Sequence, residues 1–599
     1  DNILKEEQYD GEVSLYTYDK DGMLVKAKNS ENLLEFTRDR KTGLIIEEKQ
    51  GEHTVSRTYD SEGNCTRITS SLGADIRHTY DREGNLQTMQ AGEGWQASWV
   101  RDNTGLEVQR TFSGGVTVST ERDGFGREVR KSVRSGGIER GAYRYEWGIA
   151  NRLLSKENEL TGTVMRYDYD RFDFLIRQET TQGSETDVIY RVPDFVGNLF
   201  GTPDRKDRKY GAGGKLLEDP DCFYHYDDEG NLIFREFKQL QETGVRYDRK
   251  RMEKERGIRC LATGTGWLYE WASNGMLKKV IRPDGRPVEF RYDALGRRTV
   301  KRYFGKTTRW VWNGNVPLHE WSYKAIGLQS DEKGNTLPKE PVEDITTWVF
   351  EAGTFVPTAK IQESKQYSIV SDYLGTPIQM YDGQGNKTWD CTLDIYGKVL
   401  AVDKGTEFDC PFRFQGQYKD SETGLYYNRL RFYDSNIGNY LNQDPTGLIG
   451  GNPTLYGYVK NINAQIDLYG LCVYELVATS DGWYPVYEKG KLNPTSYVRL
   501  NQGDVYKIGE SQNPQSRYSQ VRLDEARINK STATSVAIDT NGKPKLDING
   551  NIMTAGLEMD IDQNTIGNTK QADRSIETQR IKTYEQNNHH LPAGNKTHH

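Results

Sequence analysis

Polar and apolar residues alternate with a period of two through short stretches that repeat along most of the chain. The phrases "YTYDKDGMLVKAK" (16–28), "RTYDSEGNCTRIT" (57–69), "HTYDREGNLQTMQ" (78–90), "YHYDDEGNLIFRE" (224–236) and "FRYDALGRRTVKR" (290–302) share one unit, aromatic-x-Tyr-Asp-x-x-Gly-x-Leu. Weaker copies are "RDRKTGLIIEE" (38–48), "RDNTGLEVQR" (101–110) and "WASNGMLKKV" (271–280). The pattern predicts a strand, a tight turn and a returning strand. Tyr falls on one face, Asp accepts backbone N–H bonds inside the turn, and Gly takes the position of positive φ. Copies lie roughly 20 residues apart, about one hairpin each. No helical period of 3.6 persists over a comparable length. Hairpins of this kind bury their faces only against neighbours, so the repeats predict one continuous antiparallel sheet. Each Tyr-Asp pair reads as structural, with no catalytic role.

Composition fits a sheet with a large wetted surface. Hydrophobic residues make up 35% of the 599, while Gly (60) and Tyr (37) are abundant and Pro (18) is sparse. Mean hydropathy is −0.82. The formal charge of −7 gives no global signal for nucleic acid or an anionic membrane. The six cysteines, Cys65, Cys222, Cys260, Cys391, Cys410 and Cys472, form no Cys-x-x-Cys pair, which argues against a zinc site or a disulfide framework and suits assembly in a reducing cytosol. No apolar run approaches about 18 residues, so no membrane-spanning segment is expected. The first residues, "DNILKEEQYD", lack a signal-peptide pattern and read as the interior of a longer precursor or as a trimmed end.

The repeats resemble the YD repeats of the Rhs family, and the resemblance extends over residues 1 to about 471. "YSIVSDYLGTPIQMYDGQGN" (367–386) is similar to that family's Asp-His-Leu-Gly-Thr-Pro segment, with Tyr373 in place of His. "PFRFQGQYKDSETGLYYNRLRFYDSNIGNYLNQDPTGL" (411–448) matches its core-ending signature almost word for word. The resemblance implies a mostly β fold, a hollow cocoon of spiralling YD-repeat hairpins enclosing a small α+β C-terminal toxin domain. The expected organisation is a shell over 1–410, a signature and self-cleavage segment over 411–471, and a toxin over 472–599.

Asp444 and Asp467 flank a Gly-rich stretch near the end of the repeats. Two carboxyls brought close can share one proton, leaving one as base on a water and the other as acid toward a scissile amide. The Rhs resemblance assigns these two residues to aspartyl self-cleavage, with the bond Leu471–Cys472 cut. Relatives commonly carry Arg where this chain has Gln443, and Asp-Pro where it has Asp467-Leu468. Residue by residue, both aspartates equally suit turn caps.

After Leu471 the Tyr-Asp units stop. The last 128 residues hold about 15 Lys plus Arg and about 15 Asp plus Glu, so this part is near neutral and the acidic excess lies before it. They suffice for a small domain with its own core. "GDVYKIGESQNPQSRYSQ" (503–520) predicts a short strand ending at Gly509, then a helix opened by Asn513-Pro514 with Arg517 one turn in. "GWYPVYE" (482–488) predicts an upstream strand. "ADRSIETQRIKTYEQNN" (572–588) predicts a helix with Ile576, Ile581 and Tyr584 on one face and Glu577 nearby.

This set resembles the GIY-YIG endonuclease superfamily in its polymorphic-toxin branch. Tyr506-Lys507-Ile508-Gly509 stands for the second signature strand, and Arg517 follows Gly509 by eight residues, the family's spacing for its catalytic Arg. Carried over, Glu577 is the ligand of a Mg²⁺ or other divalent cation, Arg517 clamps phosphate, Tyr506 positions water, and Lys507, Gly509 and Asn595 support the substrate. Tyr484 or Tyr487 fills the Tyr of the first signature strand. These residue types suit phosphodiester hydrolysis. A carboxylate-held cation neutralises growing charge, a guanidinium fork grips phosphate, and a phenol orients water. Taken singly, Arg517 fits an exposed helix residue and Glu577 a solvated partner of Arg580 or Lys582. His589 and His590 suit either a solvated tail or a metal or acid–base role, and the terminal His598 and His599 carry no function.

The combined reading is a secreted antibacterial effector. Its shell releases a metal-dependent endonuclease, DNA slightly favoured over RNA, that acts in the target cell's cytoplasm. Its partners are a cognate immunity protein, a nucleic-acid substrate and a secretion-apparatus spike or chaperone, with a type VI apparatus suggested by the family. The competing readings are a surface adhesion or carbohydrate-binding repeat protein with a non-enzymatic tail, and a toxin of other chemistry such as a nucleotide-modifying transferase. The chain lacks the Gly-rich phosphate loop ending in Lys-Ser/Thr that such a transferase suggests.

Overall fold

The computed structural model of the protein describes residues 4–7, 11–241, 244–324, 340–363, 365–445 and 454–468, with the strands 473–478, 482–486, 496–500, 505–509, 536–537 and 557–562. The chain divides into two compact units. One comprises Asp1–Asn442 and Tyr456–Ile466, the other Gln443–Leu455 and Asp467–His599.

The first unit is mostly β and antiparallel, as the period-two pattern predicts. An 18-stranded sheet runs from Lys5–Glu7 to Glu185–Tyr190, and a 16-stranded sheet from Lys209–Tyr210 to Val399–Lys404. In both, each strand pairs with its neighbours in sequence. The Tyr-Asp turn explains this regularity. At Asp60 the backbone N–H donates to the Asn64 carbonyl at 3.0 Å. Its carboxylate accepts from the backbone N–H groups of Glu62 (3.0 Å) and Asn64 (2.8 Å) and from the Asn64 amide (3.0 Å). Gly63 sits at φ +87°, where a Cβ would be strained. Asp81, Asp194, Asp227 and Asp382 close similar turns, each bonded to an Asn four residues on.

The register slips by one residue beside the Tyr, between Thr58 and Tyr59 and between Thr79 and Tyr80. The bulge comes with a bond that joins one repeat to the previous one. The hydroxyl of Tyr59 donates to the Ile45 carbonyl (2.8 Å), Tyr80 to Cys65 (2.8 Å), Tyr169 to Leu153 (2.9 Å) and Tyr292 to Leu277 (2.7 Å).

The two long sheets pack together within this unit. One core cluster contains Trp95, Val118 and Tyr143 of the first sheet, Val349, Val370 and Ile378 of the second, and Tyr426, Tyr433, Tyr440 and Tyr458 of the core-ending segment. Polar links cross the same seam. The Trp312 N–H donates to Gln50 Oε1 (2.9 Å), Trp95 Nε1 to Ser368 Oγ (3.0 Å), and Arg297 Nη1 to Glu48 Oε1 (2.6 Å). Burial alone would raise the Glu48 carboxyl, but Arg297 and Arg57 hold it below its ordinary value.

One α-helix, Arg249–Arg256, interrupts the second sheet. Asp248 caps its first turn through a bond from the Arg251 N–H (2.8 Å), and Gly257 ends it at φ +64°. Only Met252 is buried in it, so no 3.6-residue period marks it in the sequence. No helix among the described residues is long and apolar enough to cross a membrane. The five described cysteines are all free thiols.

Candidate functional site

The core-ending segment forms a four-stranded sheet, Tyr418–Lys419, Tyr426–Asn428, Arg431–Asp434 and Asn439–Tyr440. It is bolted to the second long sheet by buried charge. Arg298 donates to Asp420 at 2.6 Å, and Lys301 reaches Asp420 at 3.1 Å and Glu422 at 2.6 Å. Tyr440 N–H donates to the Tyr456 carbonyl (2.9 Å), and Asn439 bridges to Gly457.

Residues 456–466 are clamped in the first unit. Arg191, 2% exposed, donates to the carbonyls of Lys460 (3.0 Å) and Val459 (2.6 Å). The Leu175 N–H also reaches the Lys460 carbonyl (3.1 Å). Tyr373, the residue that departs from the family's His, donates its hydroxyl to the Asn463 carbonyl at 2.9 Å and sits edge-on to Tyr145 and Trp147. The sequence reading noted Tyr373 but not Arg191. An isolated Arg carries no local signal, and its acceptors lie some 270 residues on.

Asp444 and Asp467 fall together in the second compact unit. Both are buried, at 7% and 3% exposure. The Asp444 N–H donates to the Leu455 carbonyl at 2.7 Å. The bond Leu471–Cys472 lies outside the described residues.

The tail contributes two three-stranded sheets. In one, Val473–Ala478 lies between Val505–Gly509 and Leu557–Asp562; in the other, Gly482–Val486 lies between Ser496–Leu500 and Val536–Ala537. Both expected strands exist, but in different sheets. The strand carrying Tyr506, Lys507 and Gly509 pairs with Val473–Ala478, not with the strand of Tyr484. The register is Tyr474↔Gly509, Glu475↔Ile508, Leu476↔Lys507 and Val477↔Val505. It therefore skips Tyr506, which is the extra residue of a bulge. Tyr484 is fully buried. The register also sets Glu475 opposite Asp560, an acidic pair that the sequence reading did not single out. Tyr487, Arg517, Glu577, His589, His590, Asn595, His598 and His599 lie outside the described residues. Among the described residues no group of three metal-ligating side chains occurs.

Two long antiparallel meanders, where the repeats predicted one continuous sheet, closed by Asp-Gly turns and laced by Tyr hydroxyls, define a YD-repeat shell. The Teneurin YD-shell family model matches residues 342–454 and the RHS Repeat family model residues 59–94. YibJ of Escherichia coli (strain K12) is 30% identical over 187 residues, which cover 30% of this chain and 76% of that protein. The chain belongs to the Rhs/YD-repeat family. It is also 30% identical over 342 residues to "Double-stranded DNA deaminase toxin A" of Burkholderia cenocepacia (strain H111), covering 55% of this chain and 22% of that one. "Probable deoxyribonuclease RhsB" of Dickeya dadantii (strain 3937) is 28% identical over 353 residues, 57% of this chain and 22% of that one. The chain thus spans less than a quarter of the length of these two relatives.

Proposed function

We propose that this chain is the shell and toxin portion of an antibacterial Rhs effector, in which the shell encloses the tail, cuts it off, and so releases a metal-dependent endonuclease. The observation that carries the nuclease reading is the backbone register of the strand Val505–Gly509. It places the Tyr-Lys-Ile-Gly signature beside a second Tyr-bearing strand and makes Tyr506 a bulge residue. The relatives' names support an enzymatic toxin but differ in chemistry, a deaminase in one and a deoxyribonuclease in the other. The reaction must therefore be read from the tail's own residues.

For release, the ionised member of the Asp444–Asp467 pair takes a proton from water as its oxygen attacks the Leu471 carbonyl. The protonated member gives its proton to the Cys472 nitrogen as the amide breaks. For toxicity, Tyr506 orients the attacking water and Arg517 grips the phosphate through paired N–H donors. Lys507 and Gly509 line the substrate, with Asn595 in support. Tyr484 or Tyr487 supplies the Tyr of the first signature strand. Glu577 would hold a divalent cation of the oxygen-preferring kind, such as Mg²⁺. When bound, the cation neutralises charge on the scissile phosphate. Near-neutral charge argues against tight non-specific duplex binding, so contacts local to the phosphate carry affinity. A cognate immunity protein covering Arg517, and a secretion spike or chaperone, complete the proposed system.

The test is expression of residues 472–599 alone. We expect growth arrest and degraded nucleic acid that requires Mg²⁺, with DNA and total RNA inspected in parallel. Arg517→Ala and Glu577→Ala should each restore growth, and full toxicity of either variant would remove that residue from the site.

A further inference from the structure

The hairpin between strands Leu232–Phe237 and Gly266–Trp271 is interrupted by an insertion that carries the helix Arg249–Arg256. The insertion is anchored at both its backbone and its core. Glu236, fully buried, accepts the backbone N–H groups of Leu261 (2.7 Å), Ala262 (2.8 Å) and Gly264 (2.8 Å). The Tyr247 N–H donates to the Gly264 carbonyl at 2.9 Å. Met252 and Ile258 pack with Phe234 and Leu268 of the sheet in a small core cluster. A carboxylate that satisfies three buried donors and a core of this kind hold the outer surface of the insertion in one shape.

That outer surface is cationic in an acidic chain. Residues 244–261 carry a formal charge of +4, against −7 for the whole sequence. Met252 is the one buried residue of the helix. Lys250 and Lys254 each lie about 160° round the helix from it, so both project outward, one turn apart, and both are exposed. Arg251 is paired with Glu255 and Arg256 with Glu270. Arg246, Lys250, Lys254 and Arg259 form no ion pair among the described residues. Aliphatic side chains are exposed with them: Leu240 at 62%, Val245 at 42% and Leu261 at 60%. The Arg249 guanidinium donates to the Ala262 carbonyl, which sets Leu261 beside the first turn of the helix.

A scattered cation or a single exposed Leu is ordinary on a surface. Both kinds together, on an anchored insertion of sign opposite to the rest of the chain, match a ligand that brings carboxylates and aliphatic groups at once. We infer that this insertion is a docking surface for an acidic segment of a partner protein in which Glu or Asp alternates with Leu-type residues. Its carboxylates answer Lys250 and Lys254, and its aliphatic side chains cover Leu261 and Val245. A nucleic-acid strand matches the surface less well. Glu253 and Glu255 interrupt the cations, and the insertion's one aromatic residue, Tyr247, is half-buried and offers no stacking platform. The inference does not depend on the chemistry of the tail.

The experiment uses the full chain and a fluorescein-labelled peptide of repeating Glu-Leu-Leu-Glu units, read by anisotropy. Two further probes are the same peptide with Gln for every Glu, and a single-stranded DNA oligonucleotide of similar length. The acidic peptide should bind with micromolar affinity that weakens as salt is raised, and the Gln peptide at least about tenfold more weakly. Lys250→Glu combined with Lys254→Glu alters only exposed positions. It should weaken the acidic peptide by at least about tenfold with an unchanged far-ultraviolet spectrum. Leu261→Ser should weaken it roughly threefold. Absence of binding at millimolar concentration, equal affinity for the two peptides, or wild-type affinity in the double variant would each overturn the inference. So would tighter binding of the oligonucleotide that the double variant abolishes, which would assign the surface to nucleic acid. A concentration-dependent dimer in light scattering that the double variant abolishes would assign it instead to a second copy of the chain.

Discussion

The Tyr59-Asp60 pair divides two tasks between adjacent side chains, as Tyr80-Asp81 also does. The Asp closes its own turn with acceptor bonds that any Asx turn can form, while the Tyr reaches back about one repeat to a backbone carbonyl. The turn chemistry is legible in a single copy because all its partners lie within four residues. The Tyr bond is not, because its acceptor is chosen by which strand lies alongside. His319 shows the same division at the interface of the sheets. Its Nε2 lies 2.6 Å from Ser70 Oγ and its Nδ1 3.0 Å from Thr347 Oγ1. Burial, with a smaller contribution from His53, pushes its pKa down to about 3. Between that value and the ordinary one near 6.5 the unfolded chain binds the extra proton, so stability rises with pH across this window and is lost as pH falls through it. We expect His319→Gln to flatten the pH dependence of the urea midpoint between about pH 4 and 6.5, by up to about 1.4 kcal/mol per pH unit.

At the scale of elements, the strands follow from alternation and turn residues, but their partners across the core do not. Gly84 and Gly385 occupy the same place in their turns, at φ +83° and +81°. A Cβ on Gly84 would meet nothing within 4 Å, whereas one on Gly385 would lie 2.4 Å from both the Gly114 carbonyl oxygen and Ser135 Oγ. Both alanine variants bear about 1 kcal/mol of left-handed strain. Only Gly385→Ala must also part the two sheets, so it should cost at least about 1–2 kcal/mol more in denaturant titrations. The core-ending strands offer a second measure. Asp420 is fully buried and neutralises Arg298 and Lys301. Asp420→Asn leaves both cations short of an anion and should destabilise the first unit by about 3–5 kcal/mol, read as a shifted guanidinium midpoint. In the tail, the alternating pattern located the strands at 482–486 and 505–509 but not their separation into two sheets. The partner strand, Val473–Ala478, begins directly after the expected cut, and its partner is chosen by pairing across the sheet and not by a local pattern.

At the scale of the whole molecule, the proposed release depends on two aspartates at the ends of a segment whose middle, 456–466, is pinned by Arg191, Leu175 and Tyr373. Denaturing mass measurement of the purified chain should show two fragments that meet between Leu471 and Cys472. Asp444→Asn or Asp467→Asn should each leave one intact mass, and a whole chain from the unmutated protein would refute self-cleavage. Tyr373→Phe loses only the bond to Asn463 and should slow the appearance of the fragments without abolishing it.

By itself the sequence determined the repeat, its turn chemistry, the antiparallel meander and the family, because each rests on residues a few positions apart whose steric and hydrogen-bonding preferences act locally. Tertiary structure alone decided which strands face one another, where Arg191 and Asp420 find their partners, that Tyr506 is a bulge residue paired toward 473–478, and that Glu236 anchors the backbone at 261–264. Those facts depend on residues brought together across tens to hundreds of positions, where packing and desolvation select the neighbour and no local pattern records the choice.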